Sequence, residues 1–167
     1  MTTELPRSGL IRDGVHLYPL RVYYEDTDAA GLVYYANHLK FAERARTEML
    51  RVMGFEQERM RHEMGLVFVV RHCTADYRAA ARLDDDLTVA TRVVAPGGAA
   101  LDLAQEIRRG ETVLVALEFR IAAIGKSGRP QRLPPALKAA LASLPAAPRP
   151  RPHFRTQLSA VNAQHGH

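Results

Sequence analysis

From residue 87 to residue 121, apolar side chains return at every second position in three runs separated by short gaps. Leu87, Val89, Thr91 and Val93 form the first run, Leu101, Leu103, Gln105 and Ile107 the second, and Val113, Val115, Leu117, Phe119 and Ile121 the third. A period of two puts one face of a strand against a core and the other toward solvent. Pro96-Gly97-Gly98 and Arg109-Gly110 separate the runs, and Gly125-Lys-Ser-Gly128 follows them. Parallel neighbours need a crossover of about a dozen residues, so strands joined this closely pair antiparallel. Their buried face needs a cover from elsewhere in the chain.

That cover is legible upstream. After Gly31 the period lengthens: Leu39, Ala42, Met49, Leu50 and Met53 fall on one side, and Lys40, Glu43, Arg44, Thr47, Glu48 and Arg51 on the other. The pattern predicts one long amphipathic helix that starts between Tyr34 and Asn37, a candidate N-cap, and stops at Gly54. Residues 15–24 predict a first strand, with Pro19 tolerated at an edge or bulge, and residues 66–77 a second. Shorter helices are expected at 56–63 and 133–144. Residues 1–14 read as a flexible leader, 15–144 as one domain, and 145–167, rich in Pro, Arg and His, as a disordered tail. The predicted class is α+β, with a five-stranded antiparallel sheet and a long helix on one face. One helix covers only part of such a sheet and an edge stays open, so pairing with a second copy is expected.

Composition narrows the function classes. The chain has 167 residues, enough for one domain that buries roughly two-thirds of its unfolded surface. Cys73 is the single cysteine, which excludes an intrachain disulfide and a thiolate metal cluster within one chain. No stretch approaches the roughly 18 apolar residues of a membrane span, and the polar start has no signal core, so a cytoplasmic protein is expected. A net charge of +5 favours anionic partners. The arginines are scattered and no nucleic-acid motif is present, so nucleic acid is not expected, which leaves acidic lipid surfaces and phosphate-bearing small molecules.

The chemistry concentrates where the first strand meets the helix, at Glu25, Asp26 and Asp28. A helix start carries unpaired N–H groups and partial positive charge. A carboxylate at Asp28 and a backbone donor at Tyr34 or Tyr35 would together equip a site for acyl transfer. The bland reading makes the same acids solvated loop residues that complement the helix dipole. As a calcium loop starting at Asp26 the stretch fails, because Ala30 and Asn37 stand at the fifth and twelfth positions; no metal site is expected. The serines lack a nucleophile elbow, and His72 and Cys73 point to opposite faces of a strand. Glu43 and Glu48 fall on the charged helix face, Asp84-Asp85-Asp86 reads as a solvated turn, and His38 reads as a surface residue or a residue lining the site.

Tyr24-Glu-Asp-Thr-Asp-Ala-Ala-Gly-Leu-Val-Tyr-Tyr-Ala-Asn, followed by Phe41-Ala-Glu-Arg-Ala-Arg-Thr-Glu, resembles the hotdog-fold acyl-CoA thioesterases of the 4-hydroxybenzoyl-CoA thioesterase group. The nearest branch is the Tol-Pal-associated, YbgC-type one. Asp76-Tyr77, the stretch from Ala81 to Val89 and Gly128-Arg-Pro extend the likeness over about residues 17–134. The resemblance implies a hotdog fold, a sheet wrapped around the long helix. It also implies homodimers or homotetramers with sites between subunits, and thioester hydrolysis without a cofactor. It assigns the catalytic carboxylate to Asp28 and the oxyanion donor to the backbone N–H of Tyr35, with Gly31, Tyr34, Asn37 and His38 as substrate-binding residues. Ala30 departs from the glycine more common in the branch, which bears on substrate preference. The rival of another class is a non-catalytic module that binds acyl-CoA or acyl carrier protein at a membrane-envelope complex. A hotdog hydratase would be expected to carry a histidine between Tyr23 and Asn37, and none is there.

Overall fold

The structure, a computed structural model, describes residues 5–147. Six strands form one sheet in the order β1-β2-β4-β5-β6-β3. These are β1 (Leu10–Arg12), β2 (Val15–Arg21), β3 (Val67–Tyr77), β4 (Asp86–Pro96), β5 (Ala100–Arg109) and β6 (Thr112–Ile124). Every pairing is antiparallel. The helices are α1 (Asn37–Val52), α2 (Gln57–Met64) and α3 (Pro135–Ala142). The connection from β2 to β3 carries α1 and α2 and delivers β3 to the far edge of the sheet.

The expectation of five strands is corrected to six, and the added strand lies within residues 1–14, read from sequence as a leader. β1 is only three residues long, too short to display a period, and pairs Arg12 with Val15 across Asp13 and Gly14. Both turn residues have positive φ, 50° at Asp13 and 76° at Gly14, the backbone of a type I′ hairpin. Pro19 lies on β2 past the residues that β1 pairs, where no ladder donor is needed on the outer side. The tail assigned to 145–167 lies outside the described residues except for 145–147, where Ala147 N–H donates to the Val93 carbonyl (2.9 Å).

The alternating side chains of the three central strands face inward except at Val113, which is half-buried while Leu114 takes the buried place beside the irregularity in the β5–β6 pairing. Leu87, Val89, Val93, Leu101, Leu103, Ile107, Val115, Leu117, Phe119 and Ile121 are buried together with Phe41, Ala42, Ala45, Met49 and Leu50 of α1. Full burial of one such large side chain contributes about 1.5–3 kcal/mol. The polar members of the inward set, Thr91 and Gln105, are buried and paired. The Gln105 amide donates to Thr91 Oγ1 (2.9 Å) and to the Ala42 carbonyl (3.0 Å), and its oxygen accepts from Arg46 Nη1 (2.9 Å). The Arg46 guanidinium lies 4.1 Å from the Phe119 ring centroid. Sheet and helix are thus fixed in register by polar bonds as well as by packing. At the opposite edge, β3 has β6 on one side only, and Val70 and Tyr77 are exposed.

Candidate active site

The junction after β2 is held from beneath by backbone bonds. Val22, fully buried, donates its N–H to the Asp85 carbonyl (2.9 Å) and accepts from Asp84 N–H (3.1 Å). The acidic run 84–86 is therefore a clamp, not only a solvated turn. Asp85 Oδ2 accepts from Arg82 N–H (2.8 Å) and pairs with Arg109 (2.7 Å), while Asp86 pairs with Arg21 (3.0 Å). The Arg82 and Arg109 bonds hold the Asp85 carboxyl below its ordinary range, outweighing its partial burial.

Beyond Val22 the chain makes a single 3₁₀ turn, Tyr24–Asp26. Asp26 is buried and structural. Its carboxylate accepts from Tyr23 N–H (2.8 Å), and its carbonyl accepts from Tyr34 N–H (3.0 Å) and from the Asn37 side-chain amide (2.9 Å). Asn37 thus ties the helix to the loop instead of capping it, and Ala36 is the N-cap.

Asp28 opens the next turn. Its Oδ1 accepts from Ala30 N–H (2.8 Å), with Leu32 N–H farther off at 3.4 Å, and its carbonyl accepts from Gly31 N–H (3.0 Å). Gly31 has φ of 73°, a conformation that disfavours a side chain, and it is the residue that lets the turn close. The Thr27–Val33 bridge completes a small hairpin that Val33 N–H fastens to the Ala81 carbonyl (2.9 Å). Asp28 is exposed, and its Oδ2 has no hydrogen-bond partner among the described residues.

The helix start faces the same junction. Asn37 N–H donates to the Tyr34 carbonyl (2.8 Å) and Leu39 N–H to the Ala36 carbonyl (3.1 Å). Of the two donors left open by the sequence, Tyr34 N–H is spent on Asp26, whereas Tyr35 N–H has no acceptor among the described residues. No acidic residue occupies the first turn of α1, so its positive end is not compensated locally.

An aromatic chain runs along this end of the molecule. Tyr34 and Tyr35 have ring centroids 4.7 Å apart, Tyr35 meets Tyr77 edge-on at 6.2 Å, and His38 meets both Tyr77 and Phe41 at 5.8 Å. The Tyr77 hydroxyl donates to the Tyr35 carbonyl (3.0 Å). His38 is corrected from a surface residue to a buried one, 3% exposed, because it completes the inward stripe with Phe41, Ala42, Ala45 and Met49. Burial lowers its pKa from the ordinary 6.5 to about 4, and its Nδ1 is buried without a partner among the described residues. Glu48 also leaves the solvated face: its side chain is 17% exposed and bonds Arg51 (2.5 Å). Leu39, expected inward, is exposed.

Glu25, Asp26 and Asp28 do not converge, since Asp26 turns inward to Tyr23 and Asp28 folds over its own turn. Two clefts lie apart from the junction. One, of about 40 Å³, is lined mainly by apolar residues of α1, α3 and the sheet together with Arg46 and Gln57, and one of about 420 Å³ is lined by His72, Asp102, Glu118 and Arg120 among others. Sequence reasoning missed Tyr77 and the structural part of Asp26. Tyr77 stood within the quoted Asp-Tyr pair, but its contact with Tyr35 spans 42 residues.

A hotdog sheet with helices, and a carboxylate set before an open helix start, is the architecture of a thioesterase-like protein. The sequence profile of the thioesterase-like superfamily matches residues 22–141, and the chain belongs to that family. It is 44% identical to the acyl-CoA thioesterase YbgC of Haemophilus influenzae over 125 residues, covering 74% of this chain and 91% of that protein. It is 48% identical to the acyl-CoA thioester hydrolase YbgC of Escherichia coli O157:H7 over 98 residues, 59% of this chain and 72% of the relative. Among solved structures, a probable thioesterase from Bartonella henselae superposes with a TM-score of 0.70 at 40% identity, covering 72% of this chain and 99% of that one.

Proposed function

We propose that the chain hydrolyses acyl-CoA thioesters in the cytoplasm, with Asp28 as the catalytic carboxylate and Tyr35 N–H as the oxyanion donor. The observation that carries this reading is the pairing of Asp28, whose Oδ2 is unengaged among the described residues, with Tyr35 N–H, unengaged on the same terms, at the two ends of one short junction. The thioester carbonyl accepts a hydrogen bond from Tyr35 N–H, and the helix N-terminus stabilises the negative charge that grows on its oxygen. Asp28 either attacks the carbonyl carbon, giving a mixed anhydride that water opens, or removes a proton from the attacking water. In both routes the carbon–sulfur bond breaks, the thiolate of coenzyme A leaves and takes up a proton, and a carboxylic acid is released. A thiolate leaves far more readily than an amide nitrogen, so one carboxylate and one donor suffice.

Gly31 shapes the turn under the thioester. Tyr34, Asn37 and His38 frame it, Asn37 by holding the loop and His38 as a neutral group beneath the aromatic chain. The open edge of β3 supports a homodimer or homotetramer in which a second copy completes the site, with each sheet wrapped around its α1. The basic surplus suits the phosphates of coenzyme A. Arg71 and Arg82 make no salt bridge among the described residues, whereas Arg78 is engaged with Asp76 (2.8 Å).

The test is thiol release from aliphatic and aromatic acyl-CoA thioesters and from acyl carrier protein thioesters. Turnover of at least one supports the reading and names acyl group and carrier. Binding of acyl-CoA with no turnover of any thioester contradicts it and favours the non-catalytic binding module.

A further inference from the structure

We infer that Tyr77 is a positioning residue whose hydroxyl, by bonding the Tyr35 carbonyl, aims the oxyanion donor of the neighbouring strand-to-helix junction. The inference rests on the reading of Tyr35 N–H given above. The two peptide planes that meet at the Tyr35 Cα are fixed by different partners. The plane before it, which contains Tyr35 N–H, is held by the bond from Asn37 N–H to the Tyr34 carbonyl (2.8 Å). The plane after it is held by the Tyr77 hydroxyl on the Tyr35 carbonyl (3.0 Å). Together these bonds restrain φ and ψ at Tyr35, the two soft angles on which the direction of its N–H depends.

Tyr77 is suited to this because it belongs to another, rigid element. It is the last residue of β3 and pairs with Val115 of β6, and the next residue continues the ladder through Arg78 N–H and the Leu114 carbonyl (2.8 Å). Its ring is wedged edge-on between Tyr35 (6.2 Å) and buried His38 (5.8 Å). The hydroxyl is thus delivered from the sheet to a helix start that has no side-chain cap of its own. A hydrogen bond on a peptide carbonyl also polarises the peptide unit that carries it, here the one between Tyr35 and Ala36. The phenol keeps its proton well into the alkaline range, because burial, then the Cys73 thiol and the Tyr35 phenol, raise its pKa.

The test is Tyr77→Phe, which removes one oxygen and keeps the ring contacts, assayed beside wild type and Asp28→Asn on the best-hydrolysed thioester of the panel. The expected result is a roughly tenfold loss in kcat, KM within about twofold, and an unchanged melting temperature. The same thioester, labelled with ¹³C at its carbonyl and bound to Asp28→Asn, gives a carbonyl stretch lowered from its solution value. Adding Tyr77→Phe is expected to move the stretch back toward solution. Unchanged kcat in Tyr77→Phe with an inactive Asp28→Asn overturns the role of Tyr77 and leaves the thioesterase reading standing. A rise in KM alone, or a loss of kcat with no movement of the carbonyl stretch, also overturns it. Full activity in Asp28→Asn removes the reading beneath and the inference with it.

Discussion

His38 links burial to acid sensitivity. Its folded pKa of about 4 lies below the ordinary 6.5, so the folded state refuses a proton that the unfolded chain accepts. Above pH 6.5 the group is neutral in both states and costs nothing. As pH falls from 6.5 toward 4, stability declines by up to about 1.4 kcal/mol per pH unit from this residue. His16 acts with the same sign, since burial lowers its pKa despite the Ser8 carbonyl and Glu48. Urea unfolding of His38→Gln should lose less stability between pH 7 and pH 5 than wild type does. Equal losses in the two proteins would show that His38 is not the buried base described. The residue was within reach of the sequence, because positions 38, 41, 42, 45 and 49 form an inward stripe at helical spacing, but Leu39 drew the apolar face one position round.

Gln105 ties sheet to helix through polar bonds in the core. It appears in the second period-two run as a lone polar residue among leucines, and the structure places it at the centre of three bonds. Gln105→Leu should destabilise the fold by about 1–3 kcal/mol, because the Thr91 hydroxyl loses its partner and Arg46 its acceptor. Chemical denaturation measures this directly, and a variant as stable as wild type would mean that the network contributes nothing net.

At the scale of elements, the central strands were legible because alternation over long runs is a strong signal, and every strand beside a tight turn paired as the short gaps require. β1 was missed because three residues show no period, although Asp13-Gly14 between two stretches was a hairpin signal in its own right. The junction was legible as chemistry but not as geometry. Its acids look alike in sequence, and only the fold separates Asp26, turned inward, from Asp28, left facing solvent. Gly31→Ala tests the turn that presents Asp28. An added Cβ meets no neighbour within 4 Å, so the cost comes from φ of 73° alone, about 1 kcal/mol. Activity should fall further than that stability loss explains, because the turn carries the carboxylate. A variant that loses stability but keeps full kcat would detach the turn from the chemistry.

For the whole molecule, the proposed assembly rests on the exposed edge of β3. Val70, 49% exposed on that edge, is a place where a buried charge would be costly. Val70→Asp should shift the protein toward monomer in sedimentation and lower turnover, whereas an unchanged oligomer would move the interface elsewhere. The sequence speaks of assembly through an open edge and through the dimers or tetramers that the family resemblance implies, since a single chain does not carry a partner's contacts. The proposed hydrolysis depends on one carboxylate. Asn at position 28 keeps an oxygen for the bond from Ala30 N–H (2.8 Å) and so preserves the turn while removing both nucleophile and base. The most direct measurement is therefore kcat for thiol release by Asp28→Asn, made on folded protein of wild-type size: a loss of about a hundredfold or more is expected, and a rate equal to wild type would contradict the role given to Asp28.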